Sequence, residues 1–326
     1  MINRSMSEKN SLYTNDNALL SLSEEIQHIA DNASQSLVSV NSRNRGNGSG
    51  VILNVDGSIV TCSHTIGELD EVEVGLSNGK PYPAKVVGND PYSDIALLKI
   101  KDSSDITLKP IEIVDSENLK AGQLVLALAN PYGDYHSITQ GIITSERSSI
   151  RGGAGWRWSP AAPDLMDDII ITDARLNPGY SGGPLVDVQG KMIGLNIAYI
   201  SSRGIAIRAN KVKTISEQLA KDGEIKIARL GIVTAGVSLP KEVAAQLEPA
   251  QEEGLMVLSV KKDTTAKKAG LLIGDIIVKF DDKPIANLHD LRRQLLKRDA
   301  IGKSAKLTII RAEKKKELVI IPEEER

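Results

Sequence analysis

Residues 36–215 consist of short runs rich in Val, Ile and Leu that alternate with Gly, Asn, Asp and Pro. This alternation constrains the fold more than any other feature, because β-branched residues in short runs favour strands. Asn54-Val55-Asp56-Gly57 and Ser77-Asn78-Gly79 predict hairpin turns, since Asp-Gly and Asn-Gly tolerate a positive φ. About a dozen strands in this segment predict one or two antiparallel barrels.

Composition excludes several classes of protein. Aromatic residues make up 3% of the chain, with Phe280 the single phenylalanine, so the cores must be aliphatic. The formal net charge of −2 gives no field that attracts nucleic acid or anionic lipid. Cys62 is the only cysteine, which excludes an internal disulfide. We expect no nucleic-acid partner, no cofactor and no metal.

The compartment is predicted from segments that the sequence lacks. No run approaches the roughly 18 apolar residues that cross a bilayer. The first twenty residues are polar, without the apolar centre of a signal peptide. We therefore expect no membrane span and a cytoplasmic location for the chain as written. The alternative is the periplasm or cell envelope, if a targeting segment has been removed.

The length of 326 residues predicts more than one domain. The predicted divisions are an N-terminal arm with a short helix at 1–35, a β-rich domain at 36–222 and a mixed domain at 225–326. Helical spacing and capping residues predict helices over 20–33, 211–222, 239–247 and 288–297. Residues 145–168 interrupt the strands and predict a long exposed loop, which is often a functional feature.

Histidine is scarce enough to narrow the search for a catalytic base. A serine nucleophile needs such a base, most often a histidine held by a carboxylate. The four histidines are His28, His64, His136 and His289. His28 and His289 fall in predicted helices and His136 in a loop. His64 ends the predicted strand 59–64, where a fixed side chain can face a cleft.

Ser181, in Gly179-Tyr180-Ser181-Gly182-Gly183, is the candidate nucleophile. The composition predicts far fewer than one chance copy of Gly-x-Ser-Gly-Gly in this chain. The backbone amides of Gly179 and Ser181 are the candidate oxyanion hole, because glycine allows close approach and backbone angles that other residues avoid.

Asp94 is the candidate carboxylate that orients the base. It opens a run apolar enough to be a buried strand, which would fix the carboxylate at a barrel rim. Taken alone, Asp94 is more typical of a turn or a strand cap than of catalysis. The chain order His64, Asp94, Ser181 matches the chymotrypsin group and differs from the α/β-hydrolase and subtilisin orders. Asp173 lies near the serine and is interpreted as a structural hydrogen-bonding residue.

Around these residues the chain resembles the HtrA/Deg family of trypsin-like serine proteases with a PDZ domain. The resemblance extends over roughly residues 36–326 in family order. The stretches that carry it are Gly48-Ser49-Gly50-Val51-Ile52, Ile59-Val60-Thr61 ahead of His64, residues 82–88, residues 94–100, Asn130-Pro131-Tyr132-Gly133 and residues 172–186.

The resemblance implies a mainly β fold, with a chymotrypsin-like double β-barrel protease domain followed by an α+β PDZ domain. His64 and Asp94 would come from the first barrel and Ser181 from the second. It implies an ATP-independent serine endopeptidase of protein quality control, which cleaves unfolded proteins and assembles as a homotrimer or larger homo-oligomer. The alternative is a catalytically silent peptide-binding chaperone or adaptor on the same scaffold.

Two positions depart from the family pattern. Tyr180 stands where the family usually carries Asn, and this change could perturb the oxyanion loop. Cys62-Ser63 stands where the family usually carries Asn-Asn. Cys62 is either a buried small hydrophobe or an oxidisable thiol.

The substrate contacts are predicted in both domains. Leu176 and the run Ile205-Ala206-Ile207 suggest an apolar specificity pocket without an acid, which favours cleavage after small or medium aliphatic residues. Arg229-Leu230-Gly231-Ile232 resembles the PDZ loop whose amides receive a peptide C-terminus, and the strand after it would pair with the peptide. Arg229 either attracts the carboxylate or is a solvated surface charge. Leu291 and Leu295 either line the peptide groove or belong to the core.

Overall fold

The computed structural model describes residues 18–42, 47–133, 136–145, 149–151, 165–225, 228–295 and 300–324. The chain forms two compact units, with unit 1 ending at Ile225 and unit 2 beginning at Lys226. The helices of unit 1 are α1 (Ala18–Ser34), α2 (Ser63–Ile66) and α3 (Ala209–Asp222). Those of unit 2 are α4 (Lys241–Ala244), α5 (Thr265–Lys268) and α6 (Leu288–Leu295).

The first half of unit 1 is a closed antiparallel barrel. Its strands are β1 (Leu37–Asn41), β2 (Asn47–Ile52), β3 (Ser58–Thr61), β4 (Glu71–Gly75), β5 (Pro81–Asp90) and β6 (Ile95–Ile100). They follow the order β1-β2-β3-β6-β5-β4, and β4 pairs with β1 to close the barrel. Both predicted hairpin turns are present, joining β2 to β3 and β4 to β5. They depend on Gly57 and Gly79, whose φ values are 86° and 73°.

The second half of unit 1 is another closed barrel, which confirms the double-barrel prediction. Its strands are β7 (Leu124–Ala129), β8 (Ser137–Ser145), β11 (Ile169–Thr172), β12 (Pro184–Val186), β13 (Met192–Ile200) and β14 (Arg203–Arg208). They follow the order β11-β14-β13-β12-β7-β8, closed by pairing of β8 with β11.

The segment predicted as a loop at 145–168 contains two short strands. A two-stranded antiparallel sheet joins β9 (Ser149–Arg151) to β10 (Leu165–Asp167). The prediction was wrong for these residues, because strands of three residues are too short to show an alternating pattern. Residues 146–148 and 152–164 of the predicted loop lie outside the described part of the chain, as do residues 1–17 of the predicted arm.

Three aliphatic clusters hold unit 1 together. The interior of the first barrel contains Val40, Ile59 and Leu98, and that of the second contains Val125, Ile170 and Leu185. A third cluster takes side chains from both barrels and from α3, so that burial of apolar surface joins the two barrels. α3 is capped at its C-terminus by Gly223, which has a φ of 77° and donates its N–H to Leu219 O at 2.9 Å.

Unit 2 is an open sheet covered by short helices. Its strands are β15 (Ala228–Arg229), β16 (Ile232–Ser238), β17 (Glu253–Val260), β18 (Ile276–Phe280), β19 (Lys283–Pro284), β20 (Ala305–Arg311), β21 (Lys314–Ile320) and β22 (Glu323–Glu324). The main sheet runs β16-β17-β18-β20-β21, so β16 is an edge strand among the described residues, and β19 pairs with β18. β15 pairs with β22.

The helices of unit 2 differ in how well the sequence predicted them. α6 begins with the predicted cap, because Asp290 N–H donates to Asn287 Oδ1 at 3.1 Å and Asn287 N–H donates to Asp290 Oδ2 at 3.3 Å. The helix predicted over 239–247 is a single turn, since the chain continues in i→i+3 turns such as Gln246 N–H to Val243 O at 3.1 Å.

Candidate active site and peptide-binding loop

His64 and Asp94 are in direct contact within the first barrel. His64 Nδ1 lies 2.7 Å from Asp94 Oδ2, and the His64 backbone N–H donates to Asp94 Oδ1 at 2.9 Å. The Asp94 side chain is 2% exposed and that of His64 20%. Both carboxylate oxygens therefore hold the same histidine, through its ring and through its backbone.

The local backbone differs from the prediction at His64. β3 ends at Thr61, and His64 lies in the short helix α2, with Cys62 as its N-cap. The expectation that His64 ends a strand was wrong because Ser63 N–H bonds to Asp94 O at 3.2 Å and the chain turns into a helix there. Asp94 precedes β6 with a φ of 59°, in the left-handed region that Asp tolerates better than most residues.

Ser181 comes from the second barrel and lies beside the residues that flank His64. Its Oγ donates to Ile197 O at 3.0 Å, and its carbonyl accepts the Ser49 N–H at 2.9 Å. A Cβ added to Gly182 would lie 2.5 Å from Thr61 Oγ1 and 2.1 Å from Ser49 O, so only glycine fits this approach of the two barrels. The structure thus places the serine loop against the end of β3, three residues before His64.

The Gly179–Ser181 turn presents two backbone amides. Tyr180 N–H closes the turn on Asn177 O at 3.1 Å, and Gly179 has a φ of 91°. A Cβ at Gly179 would lie 2.3 Å from Pro131 Cβ. Within the described residues, neither the Gly179 amide nor the Ser181 amide donates to a backbone carbonyl. Both predicted oxyanion donors are available to a ligand in this conformation.

Tyr180 points away from the turn into the second barrel. Its side chain is 1% exposed, and its hydroxyl lies 2.8 Å from Ser137 Oγ. The residue that departs from the family pattern is therefore a buried part of the core.

Ser49 and Asn130 support the Gly179–Ser181 turn, a role that the sequence analysis did not assign. Ser49 Oγ donates to Gly179 O at 2.8 Å and accepts the Asn130 N–H at 2.8 Å. Ser49 O accepts Thr61 Oγ1–H at 2.7 Å. Ser49 is fully buried and links β2 to the nucleophile turn. A serine between two glycines, in Gly48-Ser49-Gly50, was the signal that could have identified it.

The four predicted pocket residues do not share one surface. Leu176 and Ala206 belong to the same cluster as Tyr180, inside the second barrel. Ile205 and Ile207 face the cluster between the barrels, since neighbours along β14 point to opposite faces. The structure brings Leu176 and Ala206 together and separates them from the two isoleucines. Asp173 Oδ1 accepts the Ile142 N–H at 2.7 Å, in agreement with a structural role.

Cys62 is buried next to the pair. Its Sγ donates to Asn196 O at 3.4 Å, and burial, together with the charge of Asp94, raises the pKa of the thiol well above its ordinary value. Ligand atoms of Cys62, His64 and Asp94 lie within 4.8 Å of one another. A protonated thiol is a poor metal ligand, and the hydrogen-bonded His64–Asp94 pair already explains the cluster.

In the loop 229–232 of unit 2, which is predicted to bind a peptide carboxylate, the backbone carbonyls of Leu230 and Gly231 are bonded within the domain. Leu230 O accepts the Ala266 N–H at 3.1 Å, and Gly231 O accepts the Lys261 N–H at 2.9 Å. Because C=O and N–H point in opposite directions across a trans peptide, the amides of Gly231 and Ile232 point away from these partners. Gly231 has a φ of 76°, which permits this path.

The remaining predicted peptide contacts vary in exposure. Arg229 is exposed, whereas Leu230 is buried. Leu291 and Leu295 on α6 are 2% and 7% exposed and belong to the main cluster of unit 2, which favours the core alternative for both. Leu288, one turn earlier, is 38% exposed.

Comparison with known proteins gives two family matches. Residues 48–195 match the trypsin-like peptidase domain, and residues 229–321 match the PDZ domain. The chain is 35% identical over 256 residues to the periplasmic serine endoprotease DegP of Escherichia coli K12, which covers 76% of this chain and 51% of DegP. It is 36% identical over 258 residues to a probable serine protease do-like of Buchnera aphidicola, covering 77% and 51%. The chain therefore spans about half the length of these curated relatives.

Solved structures match over nearly the whole chain. The HtrA-type protease AlgW with a tripeptide has a TM-score of 0.75 and 27% identity, covering 92% of this chain and 97% of AlgW. The serine endoprotease from Yersinia pestis has a TM-score of 0.71 and 27% identity, covering 92% and 98%. Among the residues that the structure describes, no helix is both long and apolar enough to cross a membrane.

Proposed function

Because the chain belongs to the HtrA/Deg family of trypsin-like serine proteases with a PDZ domain, we propose that it is a serine endopeptidase with Ser181 as nucleophile. The observation that carries the proposal is the 2.7 Å contact between His64 Nδ1 and Asp94 Oδ2, beside the Ser181 turn. This contact fixes the imidazole with Nε2 as the nitrogen left for proton transfer.

The mechanism follows from these positions. The Ser181 hydroxyl hydrogen turns from Ile197 O to the imidazole of His64, which accepts it as Ser181 Oγ attacks the substrate carbonyl. His64 then returns the proton to the leaving amine, and Asp94 stabilises the transient imidazolium. The amides of Gly179 and Ser181 donate to the oxyanion, and loss of one such donor costs about 10²–10³ in turnover.

Cleavage of unfolded casein by wild type and by Ser181→Ala tests the proposal. Removal of the nucleophile should lower turnover by about 10⁶, as removal of a triad serine does elsewhere. If neither protein cleaves casein while both bind peptide, the chain is a silent peptide-binding adaptor instead.

For substrate preference, we propose cleavage after small or medium aliphatic residues. Leu176 and Ala206 support this proposal, because both are apolar and belong to one cluster with Tyr180. Digestion of a peptide library tests it, and cleavage confined to Lys or Arg would overturn it.

For unit 2, we propose that the loop 229–232 binds a peptide C-terminus, which extends along the open edge of β16. The outward amides of Gly231 and Ile232 support the proposal, as does the edge position of β16. An HtrA-type protease of similar structure, AlgW, was solved with a decapeptide and with a tripeptide. Titration with a peptide and with its C-terminally amidated form tests it, since the amide should bind much more weakly.

For the biological setting, we propose quality control of unfolded proteins by a homo-oligomer, with a trimer as the expected unit. The first two turns of α1 support association, because Leu19, Leu20 and Leu22 are 77%, 57% and 48% exposed. Light scattering of the purified protein tests the oligomer, and a monomer at micromolar concentration would overturn it. Relatives named as periplasmic support the periplasm as the compartment, whereas none of the comparisons supports the cytoplasmic expectation.

A further inference from the structure

We propose that Tyr180 is a positioning residue for the oxyanion hole, which it holds in place through the bond between its hydroxyl and Ser137. This inference rests on the proposed protease function and concerns a residue that departs from the family pattern. Tyr180 lies between the two amide donors, Gly179 and Ser181. Its carbonyl shares a peptide group with the Ser181 N–H, and its N–H shares one with the carbonyl of Gly179, so its backbone orients the first donor directly and fixes the residue that carries the second.

The side chain of Tyr180 is held along its whole length. Its ring is 1% exposed and belongs to the apolar cluster inside the second barrel. Its hydroxyl reaches Ser137 Oγ at 2.8 Å, where either oxygen can be the donor. A buried phenol usually finds such a partner, and the bond fixes how far the ring enters the core.

The two peptide groups of Tyr180 are also fixed. In the peptide group before Tyr180, the Tyr180 N–H donates to Asn177 O at 3.1 Å, and Gly179 O accepts the Ser49 Oγ–H at 2.8 Å. In the peptide group after Tyr180, Tyr180 O accepts the Gly183 N–H at 3.0 Å. Since N–H and C=O oppose each other across a peptide, this last bond turns the Ser181 amide away from the loop.

Ser137, the partner of Tyr180, is also connected to Gly179 through strands of the second barrel. Ser137 is the first residue of β8 and pairs with Ala129, the last residue of β7. Asn130 and Pro131 follow Ala129, and Pro131 packs against Gly179 with no room for a Cβ. The Tyr180–Ser137 bond therefore ties the turn to the strand pair that supports its other side. The shorter asparagine usual in the family does not extend as far.

A defect in this anchor should affect the transition state more than substrate binding. The amides matter most where charge develops on the oxyanion, and small displacements of such donors are costly. Tyr180→Phe removes the hydroxyl and retains the ring. Ser137→Ala removes the partner at a half-buried position, and Ser137→Thr restores a hydroxyl. Ile193→Val loses one methylene in the same cluster and serves as the control for a change in packing alone.

The experiment measures kcat and KM on a short peptide substrate, the Ki of a peptide aldehyde that forms a tetrahedral adduct on Ser181, and Tm. We expect Tyr180→Phe and Ser137→Ala each to lower kcat about ten-fold, a fraction of what loss of a whole donor costs. KM should change less than two-fold, and the Ki of the aldehyde should rise in proportion to the loss of kcat/KM. The double variant should be no worse than either single variant, and Ser137→Thr should recover activity.

Wild-type kcat and Ki in folded Ser137→Ala would overturn the inference, even if Tyr180→Phe fails to fold. An equal loss of activity in Ile193→Val would also overturn it, because packing alone would then explain the effect. Failure of the wild type to cleave any peptide would instead count against the proposed function.

Discussion

Unit 1 closes its two six-stranded sheets into barrels, whereas the main sheet of unit 2 is open and has β16 as an edge among the described residues. Closure places His64, Asp94 and Ser181 in turns and helix starts at the strand ends, with His64 Nδ1 2.7 Å from Asp94 Oδ2. The open sheet of unit 2 offers backbone groups instead. The difference teaches that the first site depends on particular side chains, and the second on the path of the main chain.

The largest expected effect comes from changing a side chain in the site of unit 1. Asp94→Asn keeps the size of the side chain but no longer holds His64 Nδ1–H, so kcat should fall by about 10⁴ with little change in KM. Steady-state kinetics on a peptide substrate measures it. Asp173→Asn is the matched control near the same serine and should stay within a few-fold of wild type. Equal losses in both variants would mean that Asp94 has no special role.

A smaller effect should come from changing the path of the main chain in the loop 229–232 of unit 2. Gly231→Ala places a Cβ 2.3 Å from Thr264 Cγ2 at a φ of 76°, so the carboxylate loop must move. Peptide affinity, measured by titration calorimetry, should fall about ten-fold or more, as expected when a fixed set of charge-assisted donors is displaced. Hydrolysis of a short peptide should not change.

Gly236→Ala, on the strand β16 that follows the loop, provides the control, since a Cβ there has no atom within 4 Å. Unchanged peptide affinity in Gly231→Ala would show that binding does not use this loop.

The smallest expected effect concerns Cys62, a side chain that lies next to the His64–Asp94 pair and is expected to be unreactive. Cys62 lies beside Asp94, yet burial raises the pKa of its thiol, so the thiol stays protonated at neutral pH. Because the thiolate is the reactive form, iodoacetamide at pH 7.5 should not label the native protein or reduce its activity. Labelling in guanidinium should modify one thiol per chain. Rapid labelling of the native protein with loss of activity would favour the oxidisable-thiol alternative.

The sequence predicted the parts of this molecule that depend on local patterns. The hairpins at Gly57 and Gly79 follow from the conformations that glycine allows, and the contact of His64 with Asp94 agrees with the chain order from which a triad is predicted. The pocket prediction is wrong in part because three consecutive residues, 205–207, cannot all face one side of a strand.

Other features could not be predicted because they join distant parts of the chain. Ser49 and Gly179 are 130 residues apart, and no local pattern indicates that one holds the carbonyl of the other. The helical turn at His64 depends on the bond from Ser63 N–H to Asp94 O, which also joins separate segments. Tyr180 appeared as an anomaly in a motif, and only its neighbours in the barrel explain where its ring lies.

The left-handed backbone of Asp94 limits how this protein can change over evolutionary time. At a φ of 59°, most side chains destabilise the fold by about 1 kcal/mol or more, while Asp, Asn and Gly are tolerated. Of these three, only Asp can orient His64. Substitution by Asn or by Gly therefore preserves the fold and removes the carboxylate that holds His64. A descendant that had become a pure peptide-binding protein would be expected to carry Asn or Gly at this position, with the barrels intact.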